Sequence, residues 1–289
     1  MNSIIQRLTP KRFRKDEVAI PVVRLNGMIM ASGGPLRQTL SLAGIAPLLE
    51  RAFAYKASPA VAISINSPGG SPVQSRLIFQ RIRDLAAEKN KDVIVFCEDL
   101  AASGGYMIAC AGDEIVVDPS SIVGSIGVVS GGFGFVDLLQ KIGVERRVYT
   151  AGQNKATLDP FRPERPEDVE HLKALQLEVH QTFIDLVKAR RGAKLADDPD
   201  LFTGLFWSGR RGVELGLADR VGDLRGVLRE RYGHKVKPVT IQAKRGLMGM
   251  RPRGLGIAEG VAPAAIGRGL AAGLVEAADE RALWARYGL

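Results

Sequence analysis

The stretch VIVFCEDLAASGGYMIACA, residues 93–111, reads as a strand that runs into a tight turn and then a helix. Val93 to Cys97 are apolar without alternation, the pattern of a strand covered on both faces, and Ser103-Gly104-Gly105 separates them from a second apolar run. A buried strand feeding a helix through small residues is the elementary unit of a layered α/β domain. The unit recurs upstream. Ala60 to Asn66 leads into INSPGGSP (residues 65–72), where Gly69 and Gly70 make a turn. Ser71 and Pro72 then supply a cap and a first-turn proline to a helix striped by Ile78, Ile82 and Leu85.

Working outward, Val18–Leu25, Asp92–Cys97, Glu114–Val117 and Val144–Thr150 carry the same β-branched signature and are predicted strands. From Pro166 a long helix is expected, on which Val169, Leu172, Leu175, Val179, Phe183 and Leu186 recur as a core-packing stripe. Gly124 to Phe135 is too apolar for a solvent linker and is expected to run through the interior near a site.

Composition narrows the classes. The 289 residues are 46% hydrophobic and 6% aromatic with two cysteines, which suits a globular α/β chain and excludes collagen, a disulfide scaffold and wholesale disorder. Cys97 and Cys110 sit in apolar segments and read as buried thiols. No Cys/His cluster has metal-ligand spacing, and neither a metal nor an organic cofactor is expected.

The net charge of +9 is uneven: residues 1–15 hold +5, residues 233–253 hold +6, and the remainder sums to −2. These basic tails lack the interleaved aromatics of a nucleic-acid groove, so no nucleic acid is expected, whereas peripheral contact with an anionic membrane is open to them. Met1 to Lys15 could lie on such a surface through Ile4, Ile5 and Leu8. No 20-residue apolar span is present, and Val18 to Ala31, broken by Pro21, Arg24 and Asn26, is not a signal-peptide core. A cytoplasmic location, or a peripheral one at the inner membrane, is the expectation.

Three segments follow from these shifts: a basic start over residues 1–16, a catalytic-size domain over 17–234, and a basic then Ala/Gly-rich extension over 235–289. Within the extension Ile266, Leu270 and Leu274 form a narrow stripe that needs a partner surface.

The chemistry is constrained by what is scarce. There are three histidines; His171 and His180 fall on the long helix assigned to packing, and His234 opens the basic tail. Ser103 stands at a helix N-terminus before two glycines, where a nucleophilic hydroxyl would meet free backbone N–H groups able to hold an oxyanion. The alternative is that Ser103 merely caps the helix. The Gly69/Gly70 turn could face the same cleft, or be a tight turn only. A serine needs a base, and with histidine scarce a lysine is the substitute. Free lysine titrates near 10.4, so a neutral-pH base must be lowered by about 3 units, which selects a partly buried amine. Lys155, in TAGQNKATLDPF, has small and apolar neighbours and is the best candidate; a solvated loop lysine is the alternative.

INSPGG, ASGGYMIA, SIVGSIGVV, KATLDPF and FTGLFWSGRRGVELGLAD occur in that order between Val18 and Tyr232. In this the chain resembles the signal peptide peptidase A family of bacterial Ser-Lys peptidases, and its shorter, single-repeat SohB-like members in particular. The resemblance implies a Clp/crotonase-like fold of stacked ββα units with long helices, ATP-independent endopeptidase activity on peptides, and a homo-oligomeric ring or dome. Carried over, the nucleophile is Ser103, the general base Lys155, and the hydroxyl that orients the lysine Ser125. The oxyanion donors are Gly104 and the Gly69/Gly70 turn. Trp207, a core anchor, and Gly209 are structural. Ile126, Val128, Val129 and Met107 would favour small apolar side chains beside the scissile bond, as in signal-peptide fragments. The family's usual N-terminal membrane anchor has no counterpart in the short basic start, and a single repeat implies a cleft completed by a neighbouring protomer. A non-catalytic membrane-bound scaffold and a crotonase-type acyl-CoA enzyme are the competing readings.

Overall fold

All but one of the β-branched runs become strands of one sheet in the computed structural model, which describes residues 18–31, 39–242, 278 and 281–289. Among the described residues the strands are β1 (Ala19–Asn26), β2 (Ala60–Ser67), β3 (Asp92–Ala102), β4 (Glu114–Val117), β5 (Ile122–Gly124), β6 (Phe206–Ser208), β7 (Arg220–Val221) and β8 (Lys237–Thr240). Their order is β6-β5-β3-β2-β1-β8, with β4 pairing β3 and β7. Every pairing is parallel except β5 with β6. This is the layered α/β architecture expected from residues 93–111.

The helices are α1 (Leu42–Phe53), α2 (Pro72–Lys89), α3 (Gly104–Ala109), α4 (Val136–Lys141), α5 (Pro166–Arg191), α6 (Gly209–Glu214) and α7 (Leu224–Tyr232). The period of two along each strand divides its side chains between two cores. Val61, Ile63, Val93 and Val95 point into the larger one with α1, α2, α3 and the end of α5, while Ala60, Ala62, Ile94 and Phe96 point the other way to Val227 and Leu228 of α7. Each such Val, Ile, Leu or Phe side chain, when fully buried, stabilises the fold by about 1.5–3 kcal/mol.

The central strand β3 is long enough to hold two partners on one side. Ile94–Cys97 pair with β4, and Leu100–Ala102 pair with β5 further along. Thus β3 and β5 end side by side, at the pair Ala102↔Gly124.

Three expectations are corrected. Val144–Thr150 forms no strand: it lies exposed after α4, with no sheet edge beside it to take its backbone hydrogen bonds. Gly124–Phe135 is buried only as far as Ile126, and Val129 and Phe133 are 70% and 75% exposed. The α5 stripe packs only in its C-terminal half: Phe183 and Val187 are buried, whereas Leu175, Leu177 and Val179 face outward because no other element of the described chain reaches them. All three stretches leave apolar side chains exposed.

The end of α5 is pinned. Arg191 is buried and places Nη1 2.9 Å from Asp219 Oδ2 and Nη2 3.1 Å from Asp219 Oδ1, and its Nε donates to Gly216 O at 2.8 Å. The strand β8 lies past the composition shift at residue 234, yet pairs with β1 as the sheet's edge. Residues 1–15, most of the second basic run and the Ile266, Leu270, Leu274 stripe lie outside the described residues.

Candidate active site

The parallel alignment of β3 and β5 makes the residues that follow them, Ser103 and Ser125, neighbours. The N–H of Ser103 donates to Gly124 O at 2.8 Å, and the N–H of Ser125 donates to Leu205 O at 2.7 Å. Both serines have positive φ, 52° and 53°. In a non-glycine residue that conformation costs about 1–3 kcal/mol and persists only where surroundings impose it.

The imposing contacts are close packing at glycines. A Cβ on Gly105 would lie 2.6 Å from Ser67 O, and one on Gly104 2.2 Å from Ser75 Oγ, so α3 sits against the end of β2 and the start of α2 as only glycine allows. A Cβ on Gly124 would meet the Trp207 ring at 2.7 Å. Trp207 is therefore the anchor expected of it, half-buried over the backbone that presents Ser125.

Ser103 precedes α3, but its hydroxyl makes no capping bond to that helix. The capping alternative thus fails. The side chain instead lines a pocket of about 200 Å³ together with Ser125, Gly127, Val128, Val129, His180, Thr203, Gly204 and Arg286. Gly104, as the first residue of α3, carries a backbone N–H with no acceptor one turn earlier in the helix. The Gly69/Gly70 turn abuts it: a Cβ on Gly69 would fall 2.7 Å from Gly104 N and 2.8 Å from Ser103 Cβ. Gly69 and Gly70 have φ of 98° and 138°. The Gly69 N–H is itself engaged, donating to Ser67 Oγ at 3.2 Å.

The structure therefore brings together Ser103, Ser125, Gly104, Gly69 and Gly70. It does not bring Lys155 to them. Lys155 is exposed on the excursion between α4 and α5 and is not among the residues lining the Ser103 pocket. That excursion has its own small framework. Arg146 lies 4.5 Å above the Phe161 ring and 3.1 Å from Asp159, Phe135 stacks on Phe161 at 5.4 Å, and the Asp168 carboxylate accepts from the Leu158 N–H and from Arg165. The Arg165 hydrogen bond, followed by that of Leu158, holds the Asp168 carboxyl below the usual carboxylate range against the opposing effect of burial.

Of the apolar residues expected near the scissile bond, Val128 and Val129 line the pocket, while Ile126 and Met107 are buried in the core. Sequence reasoning missed His180 and Arg286, which line the pocket, and Tyr287 beside it. His180, assigned to packing, places Nε2 3.0 Å from Ile126 O and lines the pocket. Arg286 lines it as well, and Tyr287 reaches Ser125 Oγ with its hydroxyl at 3.1 Å. No local pattern marks a residue 162 positions away in the chain as a neighbour of Ser125.

Residues 86–235, about half of the chain and the interval holding Ser103, Ser125 and Lys155, match the model of peptidase family S49. The chain belongs to peptidase family S49. The S49 assignment accords with the Clp/crotonase-like architecture. A chloroplastic serine protease SPPA of Arabidopsis thaliana is 33% identical over 214 residues, 73% of this chain and 31% of the relative. The probable protease SohB of Buchnera aphidicola is 34% identical over 170 residues, 58% of this chain and 54% of the relative. The S49 chain is also 65% identical over 287 residues, 99% of its length, to a Brucella abortus protein named Na(+)/H(+) antiporter NhaA, of which it covers 39%. It thus spans about two fifths of the length of that relative.

Proposed function

We propose that this S49 chain is an ATP-independent serine peptidase that uses Ser103 as nucleophile and Lys155 as general base, on peptides with small apolar residues at the cleavage site. The observation that carries the reading is the posture of Ser103. A serine held in a strained backbone conformation at a helix N-terminus, making no capping bond and lining a pocket beside a second serine, supports the role of nucleophile toward a carbonyl.

The neutral amine of Lys155 takes the Ser103 proton as Oγ bonds to the carbonyl carbon. The resulting oxyanion is met by the N–H groups of Gly104 and the Gly69/Gly70 turn. Collapse breaks the C–N bond, the leaving amine takes the proton from the Lys155 ammonium, and an acyl ester remains on Ser103. Lys155 then deprotonates a water that attacks the ester and frees the serine.

Since Lys155 stands on an exposed excursion of its own chain, the base for each Ser103 comes from a neighbouring protomer in a homo-oligomeric ring or dome. The number of large apolar side chains left exposed, among them Val129, Phe133, Ile142, Leu175 and Leu177, supports such an assembly. No helix among the described residues is long and apolar enough to cross a membrane. The basic tails support work beside an anionic membrane surface.

The test is hydrolysis of an apolar peptide ester. Ser103→Ala and Lys155→Ala should each abolish turnover with the assembly unchanged in size, and a serine-reactive phosphonate should label Ser103 stoichiometrically. Undiminished turnover in both variants overturns the Ser-Lys reading, and a wild-type chain with neither turnover nor labelling overturns it in favour of a non-catalytic scaffold.

A further inference from the structure

We propose that Tyr287 is a positioning residue of the hydrolytic site, acting through Ser125; the inference rests on the Ser-Lys reading above. Residues 281–285 form a helical turn, and the chain beyond it closes against the ends of β3 and β5. Tyr287 is 7% exposed there, stands edge-on to Phe206 with ring centroids 4.9 Å apart, and packs with Leu100 and Ala102, the residues leading into Ser103. Trp284 shares that cluster, half-buried.

From this seat the phenol hydroxyl lies 3.1 Å from Ser125 Oγ. A serine hydroxyl has one hydrogen to give and two lone pairs to receive with, and a phenol is the more acidic, hence the better donor of the two. With Tyr287 donating, one lone pair of Ser125 is occupied and its own hydrogen is directed away from the phenol, into the pocket it shares with Ser103. Ser125 has no other freedom to reorient: its backbone is held by the bond to Leu205 O at positive φ, and it is 3% exposed.

A hydroxyl fixed as donor into the pocket suits an uncharged amine, whose nitrogen accepts. It suits an ammonium less well, because an ammonium only donates and Tyr287 leaves Ser125 a single lone pair to receive with. Tyr287 thereby sets the polarity of the chain of hydroxyls, phenol to Ser125 to base, so that the base meets Ser103 in its proton-accepting form. Without the phenol the Ser125 hydroxyl can rotate and receive from an ammonium instead.

The test uses Tyr287→Phe in the 289-residue chain, which keeps the ring on Phe206 and Leu100 and deletes only the hydroxyl. With an apolar peptide ester, kcat should fall about tenfold, the scale of one hydrogen bond, while KM stays within about twofold and the melting temperature and assembly size are unchanged. Tyr287→Ala, which also opens the cluster, should lose both activity and melting temperature. Wild-type or raised kcat in Tyr287→Phe, a change confined to KM, or a kcat loss that tracks a fall in melting temperature overturns the inference. Ser103→Ala is run beside it. Dead Ser103→Ala with normal Tyr287→Phe removes Tyr287 alone, whereas an active Ser103→Ala removes the Ser-Lys reading and this inference with it.

Discussion

At Gly69 three backbone and near-backbone atoms leave no room for a side chain. A Cβ there would lie 2.7 Å from Gly104 N, 2.8 Å from Ser103 Cβ and 2.9 Å from Ala102 O, at a φ of 98° that L-residues resist. None of these atoms is the end of a flexible side chain, so Gly69→Ala must push Ser103 itself. The expected result is a loss of kcat/KM of about 100-fold, as for other displacements near 1 Å, with about 1–3 kcal/mol of stability lost to backbone strain; steady-state kinetics and thermal melting report the two. The thiols make the opposite case, that of residues with chemistry they cannot use. Burial pushes both Cys97 and Cys110 up to about 12. The folded protein should therefore leave a colorimetric disulfide reagent untouched at pH 8, and both thiols should react once denaturant is added.

At the scale of elements, α5 is one helix with two environments. Its C-terminal end is fastened by Arg191 to Asp219, whose Oδ2 also accepts from the Ile115 N–H at 2.7 Å, and Lys194 adds a contact at 2.6 Å. Burial opposes ionisation of Asp219, but the hydrogen bonds from Arg191, Lys194 and Ile115 outweigh it and hold the carboxyl below its ordinary range. Asp219→Asn would strand a buried guanidinium and should cost about 3–5 kcal/mol at neutral pH. Since the folded carboxyl titrates below its unfolded value of about 3.9, its contribution is complete above that pH and fades as pH drops through the folded value. The stability gap between wild type and Asp219→Asn, read by urea unfolding, should hold from pH 7 to 5 and shrink below about pH 4. The N-terminal half of α5 is tied through Asp168 to the excursion before it and leaves Leu175, Leu177 and Val179 exposed, which is why its apolar residues predict a partner instead of a core.

For the whole molecule, the separation of Lys155 from the Ser103 pocket yields a complementation experiment. Ser103→Ala and Lys155→Ala are each expected to be inactive, but co-assembled after mixing they should regain activity, up to about a quarter of the sites if protomers combine at random. Persistent inactivity in verified mixed assemblies would place both groups in one chain. Leu177→Asp, at a position 67% exposed in the single chain, should change its folding stability by less than about 0.5 kcal/mol yet lower the assembly mass in light scattering, and turnover should fall with it.

The sequence by itself determined the layered α/β class, the positions of β1 to β4, α2 and the start of α5, and the two glycine turns with Ser103 between strand and helix. Those features are local: β-branched runs, caps and glycine steps act over a few residues, and the period of an element is written in its own side chains. The strands β5 to β7 escaped it because two or three residues carry too little pattern, and β8 because its residues sit in a basic run that reads as a tail. Val144–Thr150 misled it because β-propensity cannot supply an edge to pair with. Only the tertiary structure decided that β3 and β5 end together, so that Ser103 and Ser125 share a pocket, that His180, Arg286 and Tyr287 join them, and that Lys155 of the same chain does not. Those relations depend on which strands lie side by side and where distant segments pack back, and the free energy that selects them comes from burying surface across the whole fold.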